Sequence, residues 1–170
     1  MAKKADNKKI IFLVALVFGV AAILMNLLPA ITFKGTLMGV EATASFNGFQ
    51  LMFGAEDVAA KADVAGIISF NAKVSTKLVV TSLIAFILMV VGVVSAVLVK
   101  IINKKQQFLI KVIAAGALIA GAVLAIALTK ATFVSANEIG DSAKDLYSLG
   151  IGAILSGVFA GISGAGVLLS

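Results

Sequence analysis

Four long apolar runs dominate this sequence and constrain what it can fold into. They cover residues 10–28, 78–99, 108–128 and 146–169, and each is about as long as a helix must be to cross the roughly 30 Å hydrocarbon core of a bilayer. With 61% hydrophobic and only 13% charged residues, the composition also departs from that of a soluble domain. The sequence therefore predicts a membrane all-α bundle of four transmembrane helices, with a small extracellular β-hairpin or sheet (α+β) inserted between helices 1 and 2.

The apolar runs and the polar segments between them predict how the chain is divided. The expected order is a cytoplasmic tail (1–9), a first span (10–31), an extracellular β-rich segment (32–73), a second span (74–99), a basic cytoplasmic loop (100–107), a third span (108–129), an extracellular loop (130–145) and a fourth span (146–170). The first run is longer than the apolar region of a secretory signal peptide, and no A-x-A cleavage site follows it. We therefore expect it to be retained as a span.

Lysines are distributed unequally between the two predicted sides of the membrane. The tail and the region from Lys100 to Lys111 hold eight lysines and one acid, whereas the other side holds six lysines and seven acids. Because positive loops remain cytoplasmic, both termini are predicted to be cytoplasmic. Anchoring of lysines by anionic lipid accounts for the net charge of +6, so no nucleic acid partner is expected. The absence of arginine indicates an AT-rich bacterial genome, and hence a multi-pass protein of the plasma (inner) membrane.

Residue types that usually carry chemistry are missing. The chain has no cysteine and no histidine, which removes the thiolate nucleophile, the disulfide and the commonest general base and metal ligand. We expect no catalytic residue, no metal site and no cofactor. Between their interfacial ends the apolar runs also lack acids, which argues against transport driven by protons or ions. Asn26, which is followed by Pro29 near the outer end of the first run, is interpreted as a cap or bend.

Small residues recur at helical spacing within the apolar runs. Such residues let helix backbones approach closely, and in lipid this packing drives helix association. One interpretation is packing of the helices within one subunit, and the other is an interface between subunits of a homo-oligomer. The predicted interface comprises Gly157, Gly161, Gly164, Ala153 and Ala160 in the fourth run and Ala117, Gly121 and Ala125 in the third run.

The first outer segment carries strand and turn signals. Asn47-Gly48 is typical of a type I′ turn, which predicts a hairpin in which Phe46 faces Phe49. Strands are also expected over 31–38 and 66–72, and a short helix over 55–65. The apolar face of this hairpin either covers the flanking strands or docks on lipid or another subunit. The predicted extracellular contact surface comprises Phe46, Asn47, Gly48, Phe49, Leu51 and Phe53.

The second outer segment carries capping signals. Ser135 and Glu138 fit a capping box, and Asp141 follows Gly140 as a candidate cap of the fourth helix. Glu138, Asp141 and Asp145 would share a helical face, so a weak divalent-cation patch is the alternative interpretation. Capping alone explains these acids.

Two functions from different classes fit the sequence. The first is a non-enzymatic tetraspan subunit that self-associates laterally and presents its outer sheet to neighbours or to an extracellular or membrane protein partner. Its plan, with both ends inside and a large β-rich first outer loop, resembles the claudin-type tetraspan plan in topology. The signature of that family's first loop is absent, since this chain has neither tryptophan nor cysteine.

The alternative function is an oligomeric channel or an accessory subunit of a membrane transporter. Glycine, serine and backbone groups can line a pore without any charged residue. The two functions differ in where Ser148, Ser156 and Ser163 point. If they converge on a water-filled axis, the channel is favoured, and if they face packed helices, the structural subunit is favoured.

Overall fold

The computed structural model describes residues 2–37, 40–64, 68–76, 78–128 and 147–170. Within these ranges the order of elements is α1 (Ala2–Leu24), a 3-10 turn (Met25–Leu27), β1 (Pro29–Leu37), β2 (Val40–Asn47), α2 (Gly48–Phe53), β3 (Ala55–Val64), β4 (Ile68–Thr76), α3 (Val80–Leu98), α4 (Lys104–Ile126), β5 (Tyr147–Leu149) and α5 (Ile151–Leu169). The chain forms two compact units. We call them the helical unit (Met1–Met25, Ile84–Ala125 and Leu155–Ser170) and the sheet unit (Asn26–Leu83 and Ile126–Ile154).

The helices α1, α3, α4 and α5 confirm the four predicted apolar helices. They contain 19 to 23 residues each, and each has the length and composition needed to cross a membrane. At about 1.5 Å per residue they extend over roughly 28 to 35 Å, which matches the hydrocarbon core of a bilayer. The interpretation of Asn26 and Pro29 as a bend also agrees with the structure, because the 3-10 turn ends α1 and Pro29 begins β1.

Alanines form the core of the helical unit. One buried cluster combines Ala15, Ala96 and Ala114 with Leu118 and Val167. A second cluster combines Ala22, Ala122, Ala125 and Ala160 with Met89. Because an alanine side chain is only a methyl group, helices that meet through alanines bring their backbones close together, which increases the dispersion contacts between them.

The sheet unit contains one antiparallel sheet of five strands in the order β4-β3-β2-β1-β5. The strands β1 and β2 pair along most of their length, from Leu37 opposite Val40 to Ile31 opposite Phe46. The short strand β5 comes from just before α5 and completes the edge beside β1, with Ile31 opposite Leu149. The expected strands over 31–38 and 66–72 correspond to β1 and β4.

The predicted hairpin at Asn47-Gly48 is wrong. Asn47 ends β2 and caps α2: its side-chain oxygen accepts from the Gln50 backbone N–H at 2.8 Å, and the Gln50 side chain accepts from the Asn47 N–H at 2.9 Å. Asparagine serves a type I′ turn and a helix N-cap equally well, and the glutamine three residues later favours the cap. Phe46 therefore pairs with Ile31 across the sheet and has no cross-strand partner in Phe49.

The helix expected over 55–65 is also wrong, because residues 55–64 form β3. This strand pairs antiparallel with β4 from Ala55 opposite Thr76 to Val64 opposite Ile68. Alanine and acidic residues favour a helix in isolation, but pairing with a neighbouring strand on each side supplies hydrogen bonds that override this weak preference. Gly54 joins α2 to β3 with φ of 78° and ψ of 154°, a conformation that essentially only glycine adopts.

Candidate functional site

The predicted interface residues lie at different depths in one chain. Gly157, Gly164, Ala160, Gly121 and Ala125 are buried in the helical unit, Ala153 is buried in the sheet unit, and Ala117 and Gly161 are half-buried. The small residues thus serve packing within the chain in most of these positions. Contact of some of these residues with a second copy of the chain stays a prediction.

Two glycines show how closely the helices approach each other. A Cβ added at Gly121 of α4 would lie 2.9 Å from the Met89 side chain and 3.0 Å from the Ala85 carbonyl oxygen of α3. A Cβ added at Gly164 of α5 would lie 2.9 Å from the Ile119 side chain and 3.1 Å from the Ala115 carbonyl oxygen of α4. Because part of each contact is backbone, a larger side chain forces the helices apart.

Gly161 of α5 and Gly116 of α4 behave differently from these glycines. A Cβ added at either position meets nothing within 4 Å. Val158 and Ala165, one helical turn before and after Gly161, are exposed. Gly161 and Gly116 therefore lie on helix faces where the described residues leave room for a side chain.

The buried serines of α5 bind the backbone of α1. The Ser156 hydroxyl donates to the Ala22 carbonyl oxygen at 2.8 Å, and the Ser163 hydroxyl donates to the Ala15 carbonyl oxygen at 2.7 Å. Both side chains are only 1% exposed. Ser148 differs, since it lies exposed on β5 and donates to the Thr32 carbonyl oxygen at 3.3 Å. The two serines of α5 therefore face a packed helix of the same chain.

Aromatic packing adds to this contact between α5 and α1. The rings of Phe18 and Phe159 meet edge to face with their centroids 5.3 Å apart. Such pairs stabilise beyond the area they bury, by about 0.5–1.5 kcal/mol. Hydrogen bonds, the ring pair and the contact of Gly166 with Ala15 together make α1 and α5 tightly joined neighbours.

The predicted contact surface is divided between the core and the surface of the sheet unit. Phe46 and Leu51 are 4% and 0% exposed and belong to a cluster with Ile31, Ala44 and Val79, so the apolar face covers an intramolecular core. Asn47, Gly48 and Phe49 are half-buried or buried around the cap of α2. Phe53 is 70% exposed and is the member of the set that points to solvent or lipid.

Sequence reasoning missed the role of Tyr147 and Gly150. The Tyr147 ring packs against Phe33 of β1 with a centroid distance of 5.2 Å, and the Gly150 N–H donates to the Ala30 carbonyl oxygen at 2.8 Å. A side chain at Gly150 would collide with the Pro29 carbonyl group. The predicted fourth span includes residues 147–149 because they adjoin its apolar run, although a tyrosine with a glycine three residues later also fits a short strand and a turn.

The acids of the second outer segment cannot be placed in this way. Glu138, Asp141 and Asp145, with the capping box of Ser135, lie outside the described residues. Among the residues that are described, no three acidic side chains come together to hold a metal ion.

No protein-family model and no curated protein matches this chain.

Proposed function

We propose that this chain is a non-enzymatic tetraspan membrane subunit that self-associates laterally in the bilayer. The observation that carries the proposal is the face of α5 at Gly161, where an added Cβ would meet nothing within 4 Å, and the hydrogen bonding of Ser156 and Ser163 to the α1 backbone supports a structural role. These hydroxyl groups are the buried polar side chains of α5, and they hold helices together. Each hydroxyl donates to a main-chain carbonyl oxygen of α1, and this bonding supports a packing role for both serines.

The charge distribution supports the orientation of the subunit. With four spans, the chain crosses the bilayer in alternating directions, so the start of α1, the α3–α4 connection and the end of α5 fall on one side. Eight of the lysines lie at these positions, and the positive-inside rule then assigns this side to the cytoplasm. The segments that form the sheet follow α1 and precede α3 and α5, so they fall on the outer side. There the sheet, with the exposed Phe53, is available for contact with neighbouring proteins.

The open helix face around Gly161 supports self-association. A second helix can approach at Gly161, because no side chain projects there and an added Cβ would meet nothing within 4 Å. The face of α4 that contains Gly116 offers the same opportunity. Close helix packing is the main attraction between apolar helices in lipid, so these faces are the proposed contact between copies.

A channel receives less support from this arrangement. Two of the three serines proposed to line a pore, Ser156 and Ser163, bond to carbonyl oxygens of α1 inside one chain. A pore between copies would have to be lined by other groups. Solute flux from liposomes that contain the protein, compared with protein-free liposomes, tests this alternative.

Two glycine variants separate self-association from folding. Gly161→Leu places its side chain in open space, so we expect a folded chain that no longer assembles. Gly164→Leu drives the same side chain into α4, so we expect an unstable helical unit, because overpacking of this kind costs about 1–3 kcal/mol or more. Helix content by circular dichroism reports folding, and native mass in lipid nanodiscs reports assembly.

The outcome for Gly161→Leu decides this part of the proposal. Loss of assembly with unchanged helix content and thermal stability supports the α5 face as the contact. If Gly161→Leu assembles like the wild type, the α5 face is not the contact, and Gly116→Leu applies the same measurement to α4. If both variants assemble normally, self-association through small-residue faces is refuted.

A further inference from the structure

A basic pocket lies in the helical unit at the helix ends that carry the termini. It has a volume of about 230 Å³ and is lined by α1, α4 and the residues that follow α3 and α5. Four of the lining residues are lysines: Lys8, Lys9, Lys100 and Lys111. No acidic residue is among those that line it. Three separate segments of the chain thus bring their positive charges around one small volume.

Two of the four lysines are held in position. The Lys111 ammonium donates to the main-chain oxygen of Ser170 at 2.8 Å. The Lys100 ammonium lies 4.4 Å from the centroid of the Phe12 ring, in a cation–π contact. Because an ammonium group has three donors, Lys111 keeps two for another ligand. Lys100 and Lys111 are therefore preorganised in the pocket, and the exposed Lys8 and Lys9 complete its set of lysines.

The positive charges around this pocket favour the binding of an anion. The ammonium groups of Lys8, Lys9, Lys100 and Lys111 are like charges that line the same pocket. Bringing ammonium groups together is unfavourable unless a negative group lies between them, and the interaction is stronger where the surroundings are less polar than water. A ligand that carries a compact negative charge and several acceptor oxygens would relieve this repulsion.

We propose that this pocket binds the phosphate headgroup of an anionic phospholipid, one per chain. Its volume corresponds to roughly eight waters of liquid, which is room for a phosphate group and part of its glycerol. Phe108 and Leu109, next in sequence to the lining residue Gln107, are 77% and 61% exposed and offer an apolar surface for the acyl chains. The proposal rests on the membrane placement described under Proposed function.

A defined pocket binds lipid saturably, whereas the general attraction of lysines to an anionic surface is not saturable. Phosphatidylglycerol that is bound in the pocket should remain with the protein at one molecule per chain after release from nanodiscs. Diffuse attraction should instead give a broad distribution of retained lipids that rises with the anionic fraction. Native mass spectrometry of protein released from nanodiscs that contain phosphatidylglycerol in phosphatidylcholine measures this distribution directly.

Matched double variants test which lysines are responsible. Lys100→Gln with Lys111→Gln removes two charges from the pocket, and Lys104→Gln with Lys105→Gln removes two exposed charges from the same side of the chain without touching the pocket. We expect the pocket variant to retain phosphatidylglycerol about 30-fold more weakly, as two lysines near an anionic group imply. We expect the Lys104 and Lys105 variant to stay within about twofold of the wild type on the same scale, because these exposed charges lie outside the pocket and are screened by salt. Equal losses in the two variants, or no loss in either, would overturn the proposal.

Two controls keep the result interpretable. Lys111→Arg preserves the charge, so it should retain the lipid even if the bond to Ser170 changes, and circular dichroism confirms that each variant is folded. Inorganic phosphate and glycerol 1-phosphate test a soluble ligand: if millimolar concentrations of either displace the bound lipid, the site belongs to a free anion and the lipid assignment is wrong. If the protein is a monomer that retains one lipid, self-association is refuted and the pocket is not. If it is an oligomer whose lipid retention is the same in the wild type and the pocket variant, the pocket is refuted and self-association is not.

Discussion

Replacing Ser163 by alanine tests the contact that joins α5 to α1. The Ser163 hydroxyl donates to the Ala15 carbonyl oxygen at 2.7 Å, and it occupies space beside Gly19, where an added Cβ would lie 2.8 Å from the hydroxyl oxygen. Alanine removes the bond and leaves a gap the size of a hydroxyl group. The Ala15 carbonyl still accepts the regular bond of its own helix, so the variant leaves no acceptor wholly unpaired.

The expected loss of stability is modest. Interhelical hydrogen bonds between membrane helices average about 0.6 kcal/mol and reach about 1.7 kcal/mol. Because this bond is short and its side chain is buried, we expect S163A to lower the free energy of unfolding by about 1 kcal/mol, which corresponds to roughly a fivefold change in the unfolding equilibrium. S156A removes the matching bond to Ala22 about 10 Å along α5, so the double variant should lose about 2 kcal/mol.

Reversible unfolding in bicelles measures these differences. S148A is the matched control, because Ser148 is exposed and its bond is 3.3 Å long, and it should change stability by less than about 0.5 kcal/mol. If S163A and S156A were as stable as the wild type, the bonds would not hold the helices together. If S163A instead altered solute flux from liposomes at unchanged stability, Ser163 would line an aqueous path and the structural account would be refuted.

Two further predictions concern the sheet unit. Asn47→Ala and Gln50→Ala should each lower the stability of the protein, by about 1 kcal/mol for the cap residue Asn47, because the two residues form the capping box of α2. Thermal unfolding in detergent measures this loss. An unchanged unfolding midpoint for Gln50→Ala would favour the hairpin over the cap. Gly54→Ala should destabilise by about 1–3 kcal/mol in the same assay because its φ of 78° excludes a Cβ, and a neutral result would mean that this backbone conformation is absent.

The four apolar helices could be predicted from sequence because a long apolar run leaves the backbone few choices. In hydrocarbon the peptide groups must bond within the segment, so length and hydropathy decide the element with no knowledge of its neighbours. The ends of these helices are harder to predict, because hydropathy alone does not separate the end of a helix from an adjoining strand. Residues 147–149 are apolar enough to extend the fourth run, and only their pairing with β1 makes them a strand.

The sheet was harder to predict because its signals depend on partners far along the chain. Asn47-Gly48 is compatible with a turn and with a cap, and Gly48 lacks room for a side chain because Asn26, more than twenty residues earlier, lies against it. The alanines of β3 favour a helix locally, whereas β2 and β4 supply the pairing that makes them a strand. Neither piece of information is contained in a short stretch of sequence.

The small-residue stripe shows a similar limit for the candidate site. Helical spacing indicates correctly that Gly161 and Gly164 lie on α5, but residues three apart can face different neighbours. Gly164 lies against Ile119 of α4, whereas Gly161 lies in open space. The basic pocket was not foreseen either, because Lys8, Lys100 and Lys111 come from separate segments and only the packing of the helices brings them together.

The mass of the protein in a native-like bilayer tests the central claim most directly. A lateral assembly predicts a single species whose mass is a whole multiple, two or more, of the 17.3 kDa chain at dilute protein concentration. This species should disappear in Gly161→Leu while helix content is preserved. A wild-type chain that remains a 17.3 kDa monomer in nanodiscs would contradict the proposed function.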